Sequence, residues 1–242
     1  MVDQLALARS AAASIEGWLT DGEGTLLFSL AAACPADLAI VEIGSWKGKS
    51  TVWIARGSGM STPPRVFAID PHQESLEDPS ANTLADLRAN LERAGVAQAV
   101  QPIVALSHDA AGTFRRTPGF VFVDGSHLEE AARQDLDDWL PKLAQGGAIA
   151  LHDVLNERWT GPRRALRSLL WTSTELEAVR FTDSIAWTRR VPRASVRDRY
   201  RNRVAALLLA VYEIRSWRLP GPVMTLLQAV YRRTSLKRRQ TR

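Results

Sequence analysis

The run Val41-Glu42-Ile43-Gly44-Ser45-Trp46-Lys47-Gly48-Lys49-Ser50-Thr51 is an apolar strand that passes straight into a glycine-bearing turn and opens a helix. No other feature narrows the fold as much, because this junction is the unit from which parallel α/β sheets are wound. The same rhythm repeats downstream. Strands are predicted at 38–43, 65–70, 100–105, 119–124 and 147–152, alternating with helices at 48–57, 81–95, 109–115, 128–143 and 162–171. Segments 177–182 and 185–189, separated by Thr182-Asp183-Ser184, read as a terminal hairpin. Two helical segments, 2–19 and 25–34 with a break at Asp21 or Gly22, precede the first strand. In the helix over 128–143, Leu128, Ala132, Leu136, Trp139 and Leu143 share one face, which turns Glu129, Glu130, Asp137 and Asp138 outward. The expected architecture is a doubly wound, mostly parallel α/β sheet.

In such a sheet the glycine turn is a ligand site, and glycine spacing separates the ligands. A dinucleotide fingerprint needs G-x-G-x-x-G, whereas Gly44 and Gly48 stand four apart with no close pair. A phosphate-cradling loop needs G-x-x-x-x-G-K-[ST], and Gly44 to Gly48-Lys49-Ser50 is one residue short of it. The pattern E-x-G-x-x-x-G-x-S, carried by Glu42, Gly44, Gly48 and Ser50, is similar to motif I of class I S-adenosylmethionine methyltransferases. That resemblance implies a Rossmann-like methyltransferase sheet whose first turn, Ser45 included, holds the cofactor. A plain strand-to-helix turn is the bland alternative.

Arg65-Val66-Phe67-Ala68-Ile69-Asp70 is the next apolar run and ends in an acid. An acid there accepts from ribose hydroxyls in dinucleotide folds, and the resemblance extends that role to the ribose of S-adenosylmethionine. Asp70 before Pro71 also reads as a turn cap. After the third strand, Ser107 and Asp109 fall where the resemblance places adenine contacts, and a helix N-cap explains either equally well.

Two strands end alike. Phe120-Val121-Phe122-Val123-Asp124-Gly125-Ser126-His127 and Ala148-Ile149-Ala150-Leu151-His152-Asp153-Val154 each deliver an Asp and a His to the carboxyl edge of the sheet. The pairing resembles a bacterial O-methyltransferase family with D-G-x-H after one strand and H-D after the next, and the resemblance covers about residues 38 to 155. It implies a divalent ion, Mg²⁺ or Mn²⁺, on Asp124 and Asp153 with His152 as a third candidate ligand. It also implies a hydroxyl acceptor, with a sugar, glycan or natural product ahead of a catechol; His127, where the catechol-type relatives carry lysine, suits a general base beside Asp124 by its near-neutral imidazole, with metal ligation or acceptor contact as alternatives. The related metal-dependent catechol-type enzymes carry Asn after the second acid, and this chain has Val154. Trp46 and Trp159 are candidates for stacking on the acceptor, or for ordinary packing.

Chemically, an alcohol is a poor nucleophile near neutral pH until something takes its proton. Carboxylate-held hard cations and a neutral imidazole both suit that task.

With 242 residues and 45% hydrophobic content the chain buries one sizeable core and leaves an appendage. Residues 1–190 form the expected catalytic domain, with 1–36 as a helical cover, and 191–242 a basic amphipathic helical extension. A lone Cys34 excludes an internal disulfide and fits the cytoplasm. The net charge of +5 hides an asymmetry: 18 Lys/Arg against 24 Asp/Glu in 1–190, and 13 against 2 in 191–242. A homo-oligomer, or peripheral contact with an anionic inner membrane face through that extension, is expected; no nucleic-acid reading motif accompanies the charge. A P-loop-like nucleotide enzyme using Lys49, Ser50 and Asp124, and a non-catalytic membrane or nucleic-acid module on the same fold, stay open as alternatives.

Overall fold

The computed structural model describes residues 3–60, 63, 65–73 and 83–216, the side chains of 214–216 excepted. The latter part of the predicted basic extension, 217–242, lies outside the described residues, as does the start of the helix expected from 81. Seven strands form one sheet in the order β3-β2-β1-β4-β5-β7-β6. They are β1 Ala39–Ile43, β2 Val66–Asp70, β3 Val100–Val104, β4 Pro118–Val123, β5 Ala148–Leu151, β6 Arg180–Thr182 and β7 Ile185–Arg189. β1 to β5 pair in parallel, and β7 runs antiparallel to both β5 and β6. The strand order reverses between β1 and β4, the switch point where open α/β sheets bind ligands.

The central strands are buried on both faces, so they read as continuous apolar runs, with alternate residues serving opposite layers. Along β4, Phe120 and Phe122 join one core with α1 (Gln4–Ala13), α2 (Asp21–Ala32), α3 (Lys49–Gly57) and α4 (Thr83–Arg93). Val121 and Val123 join the other, with α5 (Ser107–Thr113), α6 (Glu129–Trp139), α7 (Gly161–Thr172) and α8 (Val196–Ser216).

Three expectations need correction. The N-terminal segment is helical only to Ala13, and Asp21 and Gly22 open α2 instead of breaking the chain. A reciprocal capping box explains this start: Thr20 Oγ1 accepts from Glu23 N, and Glu23 Oε2 accepts from Thr20 N at 2.9 Å. Leu128 is 69% exposed, because it is the residue before α6 and not part of its inner face. α6 ends at Trp139, just before Pro141, and Leu143 reaches the core from the loop that follows.

Candidate functional site

The turn after β1 is built around the ends of its two neighbours. Gly44 has φ +83°, and a Cβ there would stand 2.0 Å from the Asp124 carbonyl oxygen, so the close approach of β4 demands glycine. Gly48, at φ +89°, takes the left-handed conformation that launches α3. Three backbone N–H groups of the turn bond within the protein: Gly44 N to Ile69 O, Gly48 N to Ser45 O, and Trp46 N to Asp70 Oδ2 at 2.8 Å. Lys49 Nζ donates to Gly17 O. A phosphate cradle needs those donors facing outward, which argues against the P-loop alternative.

Every residue singled out from the sequence lines one cavity of about 1220 Å³ except Glu42, Gly48 and Asp109. Glu42 is wholly buried, with Oε2 accepting from Thr51 Oγ1 at 2.6 Å and Oε1 without a partner. Burial lifts its carboxyl to about 7, against the pull of the Ser50 and Thr51 hydroxyls. From this position it supports the turn from behind. Gly48 faces Leu87, and Asp109 is an exposed residue in the first turn of α5.

Asp70 lines the cavity while its two oxygens accept from Trp46 N and His72 N. Each carboxylate oxygen keeps a second acceptor position for a ligand hydroxyl. Ser107 lines the same wall and accepts from Trp139 Nε1 at 2.9 Å.

At the ends of β4 and β5 the acids and imidazoles interlock. His152 Nδ1 lies 2.9 Å from Asp124 Oδ1 and 3.5 Å from Asp153 Oδ2, and its Nε2 lies 3.5 Å from Glu23 Oε2. One ligand-competent atom from each of Asp124, His152 and Asp153 falls within 4.8 Å of the others. Burial alone would push the His152 imidazole down, but the surrounding carboxylates, Asp124 foremost, outweigh it and hold the imidazolium well above its ordinary range. Burial raises Asp124, with the charge and hydrogen bond of His152 opposing. Burial would raise Asp153, but the hydrogen bonds from His127 and Asn156 and the charge of His152 outweigh it and lower the carboxyl. His127 Nε2 stands 2.9 Å from Asp153 Oδ2, and its ring stacks on Trp159 at 4.5 Å and 8°.

Four residues of this cavity were missed from the sequence. Glu23, buried in α2, binds Ser184 through both N and Oγ while pairing with His152, so it ties the N-terminal cover to the site. Its capping-box spacing was readable, but nothing local signals a partner 129 positions away. Asp135 of α6 lies inside the wall beside Ser107, and burial lifts its carboxyl to about 6 against the Ser107 hydrogen bond. Asn156 donates to Asp153 Oδ1 at 2.9 Å, supplying from three residues downstream the amide missing at Val154. Trp18 stacks on Trp46 at 5.3 Å with 69% of its surface exposed at the cavity's edge.

Residues 41–154 match the family described as a methyltransferase domain. Over 150 residues the chain is 33% identical to catechol O-methyltransferase of Mycobacterium tuberculosis, a match that takes in 61% of this chain and 62% of that one. The chain thus spans less than two thirds of that relative's length. Its fold is similar to that of an O-methyltransferase from Bacillus cereus in complex with SAH, at 21% identity and TM-score 0.57, over 77% of this chain and 90% of the other. It is also similar to a TDP-rhamnose 3′-O-methyltransferase of calicheamicin biosynthesis, at 18% identity and TM-score 0.50, over 69% and 77% of the two chains.

Proposed function

We propose, for a chain that belongs to the class I S-adenosylmethionine-dependent methyltransferases, the transfer of the cofactor's methyl group to a hydroxyl of a small ring-bearing acceptor in the cytoplasm. The observation that carries the reading is the cluster of Asp124, His152 and Asp153 in the wall of the same cavity as the Gly44 turn and Asp70.

Asp70 takes the ribose hydroxyls, and Ser107 with Asp135 borders the adenine. Asp70→Ala is expected to weaken S-adenosylmethionine binding by roughly 1.5 to 3 kcal/mol, the worth of hydrogen bonds to a charged group. Calorimetry checks this, and unchanged affinity in a folded variant removes Asp70 from the ribose.

The donor set fits a hard cation. Asp124 and Asp153 bring carboxylate oxygens to one corner, the kind Mg²⁺ and Mn²⁺ select. A divalent ion held there would lower the pKa of an acceptor hydroxyl and orient it. The imidazolium of His152 and such an ion would compete for Asp124, so a cation on the carboxylates would favour the neutral imidazole of His152. Asp153 accepts from His127 Nε2, which leaves Nδ1 to take the hydroxyl proton, and the Trp159 stack fixes the plane of the ring. The freed oxygen attacks the methyl carbon in line with the departing sulfur.

For the acceptor we put a sugar or glycan hydroxyl first and a catechol second. Trp18, largely exposed at the cavity's edge, suits the C–H face of a sugar ring, and one structural neighbour is named for a TDP-sugar. The name of the M. tuberculosis relative favours the catechol.

The test is incubation with methyl-labelled S-adenosylmethionine and catechol or TDP-rhamnose, with and without chelator. Label is expected on an acceptor oxygen, falling under chelator and returning with Mg²⁺ or Mn²⁺ while cofactor affinity holds. Full transfer in excess chelator removes the metal, and tight ATP binding without S-adenosylmethionine binding removes the reading as a whole.

A further inference from the structure

The two faces of α8 differ in kind. Its inner face is committed to the domain. Ala205, Ala206 and Leu209 join the core, Asn202 Oδ1 accepts from Val179 N, and Tyr212 Oη donates to Leu155 O at 2.8 Å. The outer face follows at helical spacing through Arg197, Tyr200, Arg201, Val204, Leu207, Leu208 and Val211, which form one stripe along the helix. On it Tyr200 is 69% exposed, Leu207 56%, Leu208 40% and Val211 41%. Trp171 of α7, 52% exposed, sits under the Arg203 guanidinium. A helix that only faced water would carry polar side chains here, and a contiguous apolar stripe rimmed by arginines marks a contact surface.

We propose that this outer face of α8 docks on an anionic lipid surface, with the apolar stripe in the acyl boundary and the arginines among the phosphates. Charge selects this occupant. α8 carries two acids, and both are engaged with the domain. Asp198 accepts from Ser195 Oγ and Ala178 N, and Glu213 pairs with Arg164 and Arg167. A second copy docking through the same face with its α8 parallel would set Arg197 and Arg201 against their own equivalents. Lipid meets both halves of the pattern, since arginine stems lie along apolar surface while their heads reach phosphate. The sequence beyond 216 continues in the same chemistry, with seven Lys/Arg and no acid in 217–242. No helix among the described residues is long and apolar enough to cross a membrane, so the contact is with the surface.

The inference is independent of the methyl-transfer reading, and so is its test. The full chain is sedimented with phosphatidylcholine vesicles and with vesicles that also contain phosphatidylserine, at low and high salt. Binding is expected to the anionic vesicles only and to weaken with salt. The Leu207→Glu/Leu208→Glu variant should lose about tenfold or more of its partitioning. Arg197→Gln/Arg201→Gln should lose about 30-fold, a factor of about five for each basic side chain. Unchanged S-adenosylmethionine binding by calorimetry certifies that each variant is folded. Absence of vesicle binding by the intact chain overturns the proposal, and so does undiminished binding by both variants. A dimer that the Leu207/Leu208 variant dissolves, with no vesicle binding, assigns the stripe to a second copy instead.

Discussion

Replacing His127 with alanine is expected to lower methyl transfer by about 10²- to 10⁴-fold, with S-adenosylmethionine still bound at its normal affinity. The expectation rests on how the imidazole is held: Asp153 Oδ2 lies 2.9 Å from Nε2, and Trp159 stacks flat against the ring. An acid on one ring nitrogen selects the tautomer that leaves the other nitrogen basic, and it also stabilises the imidazolium once the proton arrives. Cofactor affinity should survive because the proposed ribose contact is at Asp70, at the end of a different strand. Imidazole added to the alanine variant separates the two roles open to His127. A proton acceptor is restored in part by free imidazole, whereas a residue that only packed against Trp159 is not. Near-normal single-turnover rates in the variant would leave His127 as an acceptor contact.

The sheet was legible because β1, β4 and β5 are buried on both faces, and a strand with two apolar faces appears in the sequence as an unbroken run such as Phe120-Val121-Phe122-Val123. Asp124, His127, His152 and Asp153 were legible for the same reason, since polar residues at the carboxyl ends of adjacent parallel strands have one place to converge. What stayed hidden depends on tertiary contact. Glu23 reads locally as the acid of a capping box, and its contact with His152 exists only because α2 lies over the ends of β5 and β7. Asp135 sits between the inward residues Ala132 and Leu136 of a helix on which Glu130 and Asp137 face water, so periodicity alone gives it no distinct role. The amide that Asp153 uses was sought at position 154, directly after the acid. Val154 is instead fully buried, and the chain turns Asn156 back to the same carboxylate. Glu42 stands in the motif where a ligand contact is expected, and its side chain points under the turn to Thr51.

That placement makes Glu42→Gln the stability prediction with the largest expected effect: a gain of about 3 kcal/mol at alkaline pH and little change in acid. Burial holds the folded carboxyl at about 7, against 4.5 for the same group in water. Below the lower value both the folded and the unfolded chain keep the proton, and the contribution of the group is complete. Between the two values the folded chain binds more proton than the unfolded one, so stability falls as pH rises, and the loss levels off above the folded value. The glutamine amide is neutral throughout and can still accept from Thr51 Oγ1, so it removes that slope without emptying the site. Asp135, lifted to about 6, and the raised imidazolium of His152 give further losses in the same direction. The comparison must therefore be the difference between variant and parent at each pH. Urea unfolding from about pH 5 to about pH 9 should give parallel stabilities in acid that diverge through neutrality, the variant staying the more stable. Curves that run parallel over the whole range would mean that Glu42 folds ionised, and its hydrogen bond to Thr51 would then be that of a carboxylate.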